Sequence, residues 1–526
     1  MRVPPGVSPK DFADALRQFE EVVGKEWVFS SEEDVDLYRD SYSPFWHEAE
    51  ERIPSAAVAP DSVEQVQRVV RIANTFQIPL WTISTGKNLG YGSTAPLLSG
   101  SVVLDLKRMN RILEVNEKNH YALVEPGVSY FDLYRYIQEK GLKVWIDPPD
   151  PGWGSLVGNA LERGAGFTPM HDHFDAHCGM EVVLANGEVV RTGMGALPNA
   201  ETWQQYKYGF GPYVDGIFSQ SNFGVVTKMG FWLYPEPEAY LCGNVTVPKR
   251  DDVHALVETF AHLVNSGVVQ GTTSIVDMPS FAPPDPQLAA LRLSGAHAAV
   301  EDYLAQRGMG YWSINLPFYG PAKVVAAQWE YAKEKFSSIP GVHFSEVESH
   351  RFPLNAEQLA KIPDTVPLGV PSLGVFNNGG PNSYGHMDFS PIIPMTGEGV
   401  LEAHAVLDEA YRELGSPSDA PPGVPLFSFF ARALVILYWI PIEHDVERNK
   451  KSRAIFRRLV KAAAERGWGE YRTHTAFMDD VVDVYSFNDH ALRRLHETLK
   501  DAVDPNGILS PGKSGVWPKR LRKAKA

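Results

Sequence analysis

Cysteine is nearly absent from this chain: 526 residues hold only Cys178 and Cys242. No disulfide framework is needed, and such a composition suits a reducing compartment. Long apolar runs are missing too. The start, Met1-Arg2-Val3-Pro4-Pro5-Gly6, lacks the apolar core of a secretion signal, and no stretch approaches the roughly 18 apolar residues of a membrane span. Positive charge is in short supply, since 49 Lys and Arg against 64 Asp and Glu leave a net charge of −15. That balance argues against a nucleic-acid partner, which normally meets a basic face. The one basic run, Lys519-Arg520-Leu521-Arg522-Lys523-Ala524-Lys525, reads as a solvated tail. Low-complexity tracts and internal repeats are also lacking, and no motif calls for a metal. The expectation is a soluble, cytoplasmic protein with neither nucleic acid nor membrane as partner.

Glycine, in contrast, is concentrated where it carries information. Ser84-Thr85-Gly86-Lys87-Asn88-Leu89-Gly90-Tyr91-Gly92-Ser93 holds three glycines in seven residues. It lies between two strand-like runs, Pro79–Ile83 and Ser101–Leu106. Such a loop folds tightly and turns its N–H groups toward one point, a concavity that suits a diphosphate. Alone it is most often a simple turn.

The chain is long enough for two or more domains, because single cores stop growing at roughly 250–300 residues. A helix is expected over Asp11–Val23. A second starts at Asp61, capped through Glu64, with Val63, Val66, Val69, Val70 and Ala73 as its apolar stripe. Short strands follow near Ile112–Val115 and Tyr121–Val124, and Ser129 opens another helix. Glu181–Leu184, the turn Asn186-Gly187 and Glu188–Arg191 form a strong hairpin signal. Pro235-Glu236-Pro237 marks a boundary. Beyond it, residues 240 to 460 read as a second α+β unit, with helices near Asp252–Asn265 and Pro321–Phe336 and linkers at Ala282-Pro283-Pro284 and Asp419-Ala420-Pro421-Pro422. Helix returns at Arg448–Glu465.

One motif misleads. Gly507–Ser514 satisfies the phosphate-loop pattern of nucleotide triphosphatases, with Lys513 and Ser514 in place. That chemistry needs a strand before the loop and a helix after it. Here Pro505 and Pro511 interrupt the loop, and Gly515-Val516-Trp517-Pro518 stands where the helix should begin. The ATPase reading fails.

Several motifs together carry a resemblance. Besides Ser84–Ser93, they are Gly154-Ser155-Leu156-Val157-Gly158-Asn159-Ala160, Glu162-Arg163-Gly164, Arg191–Leu197, Tyr208-Gly209-Phe210-Gly211-Pro212, Phe218–Asn222, Gly469–His474 and the 505–517 tail. The chain resembles the vanillyl-alcohol oxidase family of flavoproteins over nearly its whole length, and most of all the bacterial eugenol and 4-alkylphenol oxidases. The resemblance implies an α+β fold of two domains. An FAD-binding domain is built from residues 1–238 and 460–526, and a cap domain from 239–459 covers the flavin ring. It implies that FAD lies along Ser84, Thr85, Gly86, Lys87, Asn88, Leu89, Gly90 and Gly92, then Gly154, Ser155, Gly158, Asn159 and Gly164, then Ser221, Gly224, Val225 and Lys513. It also implies a covalent tether to His386, in Gly385-His386-Met387-Asp388-Phe389-Ser390-Pro391. A relative uses tyrosine, and Tyr384 lies two residues away; His386 is preferred.

Four residues carry over as the reacting cluster: Tyr91, Tyr471, Arg472 and Asp150. Taken singly, Tyr91 reads as loop packing and Tyr471-Arg472 as a helix exit. Together they suit a phenol. A phenol titrates near ~10, so holding it as phenolate at neutral pH takes about three pKa units, roughly 4 kcal/mol. A guanidinium with two phenolic donors, shielded from water, supplies that. Asp150 matches the family's base, and Asp147 is the competing carboxylate, read as a turn residue. Two segments depart from the family pattern, Met170-His171-Asp172-His173 and Phe430–Leu437, and imply a more apolar pocket. The expected activity is oxidation of para-substituted phenols by O2, with a homodimer as the family-based assembly. Rival readings are a dehydrogenase passing electrons to a cytochrome, a flavin-binding scaffold without turnover, and a carbohydrate oxidase.

Overall fold

The computed structural model describes residues 2–281, 285–376, 385–414 and 425–522. Tyr384, the linkers at 282–284 and 419–422, and residues 523–525 of the basic run lie outside these.

The first unit is built on two sheets. In one, Val102–Asp105 runs parallel to both Ala56–Val58 and Leu80–Ile83, so the glycine loop is the connection between two parallel neighbours. In the other, Val225–Trp232 sits between Tyr121–Val124 and His177–Val183, and all pairs are antiparallel. Local signals behave as expected. The stripe Val63, Val66, Val69, Val70 and Ala73 of the helix Val63–Phe76 is buried. The hairpin turns at Gly187, whose φ is +79°, with Asn186 Oδ1 accepting from the Glu188 amide at 2.9 Å. Ser129 caps the helix Tyr130–Lys140 in a reciprocal pair with Asp132. The cap expected from Asp61 does not form. Its carboxylate takes Arg108 Nη2 at 2.9 Å, and the helix begins two residues later behind Ser62.

The second unit contains a seven-stranded antiparallel sheet whose longest pairing joins Ala239–Val247 and Trp312–Gly320. The helices of this unit include Val253–Asn265, Ala322–Phe336, Gly397–Leu414 and Val446–Glu465, the last packed on the separate ribbon of Gly385–Phe389 and Tyr438–Ile442. Its hydrophobic cluster runs from Leu241 to Val481. A division at 459/460 therefore cuts through the helix Val446–Glu465, which buries Phe456, Leu459 and Val460 in that one cluster. We place the crossing after this helix. The chain then rejoins the first unit. Leu80 N–H donates to Ile508 O and Ser510 N–H to Leu80 O, both at 2.7 Å. Lys500, fully buried, is held by Asp504 at 2.7 Å and by the carbonyls of Asn222 and Leu509. An ammonium in that position needs each of those partners.

Residues 513–515 form a single 3₁₀ turn rather than an α-helix, and Lys513 Nζ bonds Glu162 Oε1 at 2.6 Å. The pseudo-phosphate-loop thus lacks the helix that its chemistry requires.

Candidate active site

Between the two units lies a cavity of about 550 Å³. The glycine loop supplies one wall with Ser84, Thr85, Gly86, Lys87, Asn88, Leu89 and Tyr91. Gly154, Ser155, Gly158 and Asn159 come from the start of the helix Leu156–Leu161, where Ser155 Oγ accepts from the Gly158 amide. Ser221, Gly224 and Lys513 complete the side belonging to the first unit. Four expected cofactor residues stand one layer behind. Gly90 backs onto Asp388 and His386, Gly92 onto Thr475, Gly164 onto the Asn159 side chain, and Val225 belongs to a buried strand.

The polar cluster assembles from distant parts of the chain. Arg472 Cζ lies 4.2 Å from the centroid of the Tyr91 ring and 5.4 Å from that of Tyr471. Tyr471 is fixed at three points: its amide donates to Ser390 O, its carbonyl accepts from Gln220 Nε2, and its hydroxyl donates to Arg163 O at 2.5 Å. Burial, then the charge of Asp388, push the Tyr91 hydroxyl above the usual tyrosine range, against the pull of Arg472. Burial does the same to Tyr471. For Arg472 burial works against the cation, but Tyr471, Tyr91 and Glu162 more than offset it and raise its pKa. The site therefore holds a permanent cation between two protonated phenols.

Asp150 borders the same cavity, and burial followed by the charge of Asp364 pushes its pKa up to about 6. Asp147 turns out to be more than a turn residue. It is buried, accepts from Thr168 N–H at 2.8 Å and lies 2.9 Å from His173 Nε2, away from the cavity lining. His173 in turn bonds Asn159 Oδ1 at 2.6 Å, so one departing segment supports a cavity residue. The other supplies Leu437 to the lining, beside Phe429 and Phe167. The first segment reaches the residue just before the second, where His171 Nδ1 bonds Phe429 O at 2.7 Å.

His386 projects from a two-stranded ribbon, Gly385–Phe389 paired with Tyr438–Ile442. Tyr42 and Trp439 flank its ring. Sequence reasoning gave no role to Asp388, Trp439 and the phenylalanines of the wall, and noted Gln220 and Glu162 only as parts of family motifs. Strand alternation from His386 could have pointed to Asp388.

The chain matches the model described as "FAD binding domain" over residues 54–193, and "FAD linked oxidases, C-terminal domain" over 404–514. It is 34% identical to the 4-cresol dehydrogenase [hydroxylating] flavoprotein subunit of Pseudomonas putida, over 98% of this chain and 97% of the relative. Among solved structures, an isoeugenol complex of 4-ethylphenol oxidase from Gulosibacter chungangensis superposes with a TM-score of 0.86 at 36% identity, covering 99% of this chain and all of that one. A substrate complex of p-cresol methylhydroxylase gives 0.86 at 32%, covering 98% and 99%.

The chain belongs to the p-cresol methylhydroxylase/vanillyl-alcohol oxidase family.

Its fold is the two-domain FAD-binding and cap fold of that family, and it is a flavin-dependent oxidoreductase. The residues present fit FAD. Arg472 Nε, His386 Nδ1 and Asp150 Oδ1 are buried without a hydrogen-bond partner among the described residues. A Cβ at Gly154, on the cavity wall, would point into open space. Orphaned polar atoms at the lining of a cavity call for a partner, and a bound ligand supplies one. Among the described residues no helix is long and apolar enough to cross a membrane.

Proposed function

We propose that the protein is an oxidase of para-substituted phenols, acting on 4-hydroxybenzylic alcohols or on 4-alkyl- and 4-allylphenols, with O2 reduced to H2O2. The observation that carries the reading is Arg472 set between Tyr91 and Tyr471 with its Nε unpaired. A phenolate oxygen supplies the missing acceptor, with the Tyr91 O–H as a donor to it, while Tyr471, its own hydroxyl given to Arg163 O, places its ring beside the guanidinium. Carbohydrate oxidation has no use for this cluster, and a mere flavin scaffold has no need of it.

FAD, held by the glycine loop, the 154–159 segment, Ser221 and Lys513, supplies the hydride acceptor when bound. We assign its covalent attachment to His386. The ionised ring pushes electrons toward its para carbon, which eases loss of hydride from the benzylic position and leaves a p-quinone methide. Asp150, ionised above pH of about 6, takes the proton from the alcohol hydroxyl or from water that attacks the quinone methide. The apolar wall of Phe167, Phe429 and Leu437 favours alkyl chains and methoxylated rings over small polar substituents. The family resemblance extends the proposal to a homodimer, and the scarcity of cysteine and of long apolar runs to a cytoplasmic one.

The test is peroxide formation across vanillyl, syringyl, eugenol and 4-alkylphenol substrates, each beside its ring methyl ether. Phenols turn over and ethers stay inert; equal rates would refute the phenolate site. The name of the Pseudomonas putida relative, a flavoprotein subunit, supports a second reading in which electrons leave to a partner such as a cytochrome. Substrate turnover in air without matching peroxide would favour it.

A further inference from the structure

His386 and Asp388 share one face of their strand, because strand side chains alternate with a period of two. Asp388 Oδ2 lies 3.5 Å from His386 Nε2. Although it borders the cavity, Asp388 is only 3% exposed. Gly90 closes over the pair. At φ +81°, a Cβ there would meet Asp388 Oδ2 at 2.3 Å and His386 Nε2 at 3.0 Å. Only glycine lets the loop come down on the two side chains. The imidazole is further confined by Tyr42 and Trp439, with ring centroids 5.3 and 5.7 Å away. A carboxylate this dry is costly to hold unless a cation faces it. Among the described residues His386 is its ion-pair partner.

The geometry points to Asp388 as the positioning residue of the flavin tether: its carboxylate orients the His386 imidazole and stabilises the positive charge that the ring gains on bonding to carbon. This rests on the reading of His386 as the attachment site. Tethering forms an N–C bond between the imidazole and the methyl carbon of the flavin, while the imidazole N–H and one methyl C–H break. The two protons and two electrons reduce the flavin, and dioxygen, the acceptor proposed above, carries them off as hydrogen peroxide. Whichever nitrogen makes the bond, the ring passes through a cationic form, and an anion at 3.5 Å lowers the energy of that form.

The experiment compares purified holoenzymes of the parent, Asp388→Asn, Asp388→Glu and His386→Ala, each saturated with FAD. Total flavin per chain is read first, then the fraction that stays with the protein after acid precipitation. The parent keeps its flavin, and His386→Ala releases all of it. Asp388→Asn is expected to bind normal total FAD yet retain about tenfold less after acid, as for loss of a group that orients a reactive imidazole; Asp388→Glu regains part. Full retention in Asp388→Asn overturns the proposal. So does a loss of total FAD in the same proportion, which would mean that the carboxylate only supports the fold. A parent that itself releases all its flavin refutes the His386 tether, a different failure.

Discussion

Arg472 and Asp150 border one cavity, yet their surroundings act on them in opposite ways. The neighbours of Arg472 reinforce its charge: Tyr471, Tyr91 and Glu162 hold the cation against burial. The neighbour that acts on Asp150 is another acid, Asp364, which adds to burial and weakens the anion until it titrates at about 6. In the proposed mechanism the difference separates two tasks. Keeping a substrate ionised needs a charge that never switches off, whereas moving a proton needs one that exchanges near working pH.

The most severe way to break this contrast is to delete the permanent charge. Arg472→Ala should lower kcat/KM for 4-ethylphenol by up to about 10³-fold, the equivalent of roughly 4 kcal/mol of phenolate stabilisation. A loss below tenfold in steady-state assays would mean that the cation does not hold the substrate. Next comes the switchable charge. Asp150→Asn should cost about 10²-fold in turnover and abolish the acid limb of the pH profile. In the parent that limb rises with pH through about 6, because the base must be ionised. Asp364→Asn sharpens the comparison: with the second acid gone, the limb should move to lower pH while the plateau stays, and an unmoved limb would leave burial as the sole cause.

Stability gives a smaller effect of opposite sign. The folded-state pKa of Asp150 is raised, so its favourable contribution is complete below its unfolded value near ~4 and is lost as pH rises through about 6. At pH 8 the flavin-free Asp150→Asn protein should thus be more stable than the parent, by about 1 kcal/mol once partial exposure is allowed for. Thermal melts at pH 4 and pH 8 check it: the difference should vanish at the lower pH. Similar in size, Tyr91→Phe removes one donor beside a retained cation and should cost about fivefold in kcat/KM, read in steady-state assays.

Whatever depended on nearby residues was legible in the sequence. The stripe Val63–Ala73, the hairpin at Asn186-Gly187 and the Ser129 cap are set within a few positions of themselves, and they form as expected. The cap at Asp61 failed because a residue far along the chain, Arg108, competes for the same carboxylate. Tyr91, Tyr471 and Arg472 became a cluster only through family resemblance; spacing alone gave no reason to join a loop near the start to a segment near the end. Asp388 stayed hidden for the same reason. Alternation along the strand puts it on the face of His386, but the burial that makes this matter comes from pairing with 438–442 and from the descent of Gly90, which leave no local signature. The division at 459/460 came with the resemblance; that the helix Val446–Glu465 runs across it was not legible, because periodicity reports that a helix exists but not which core it joins.

The knitting of Ile508 and Ser510 onto Leu80 has a consequence for biosynthesis. Because Ser510 and Lys513 border the same hollow as Ser84–Leu89, an elongating polypeptide cannot enclose the cofactor until residues 508–513 have emerged from the ribosome. Loading therefore waits for that segment, and a nascent chain stalled before residue 508 should stay colourless.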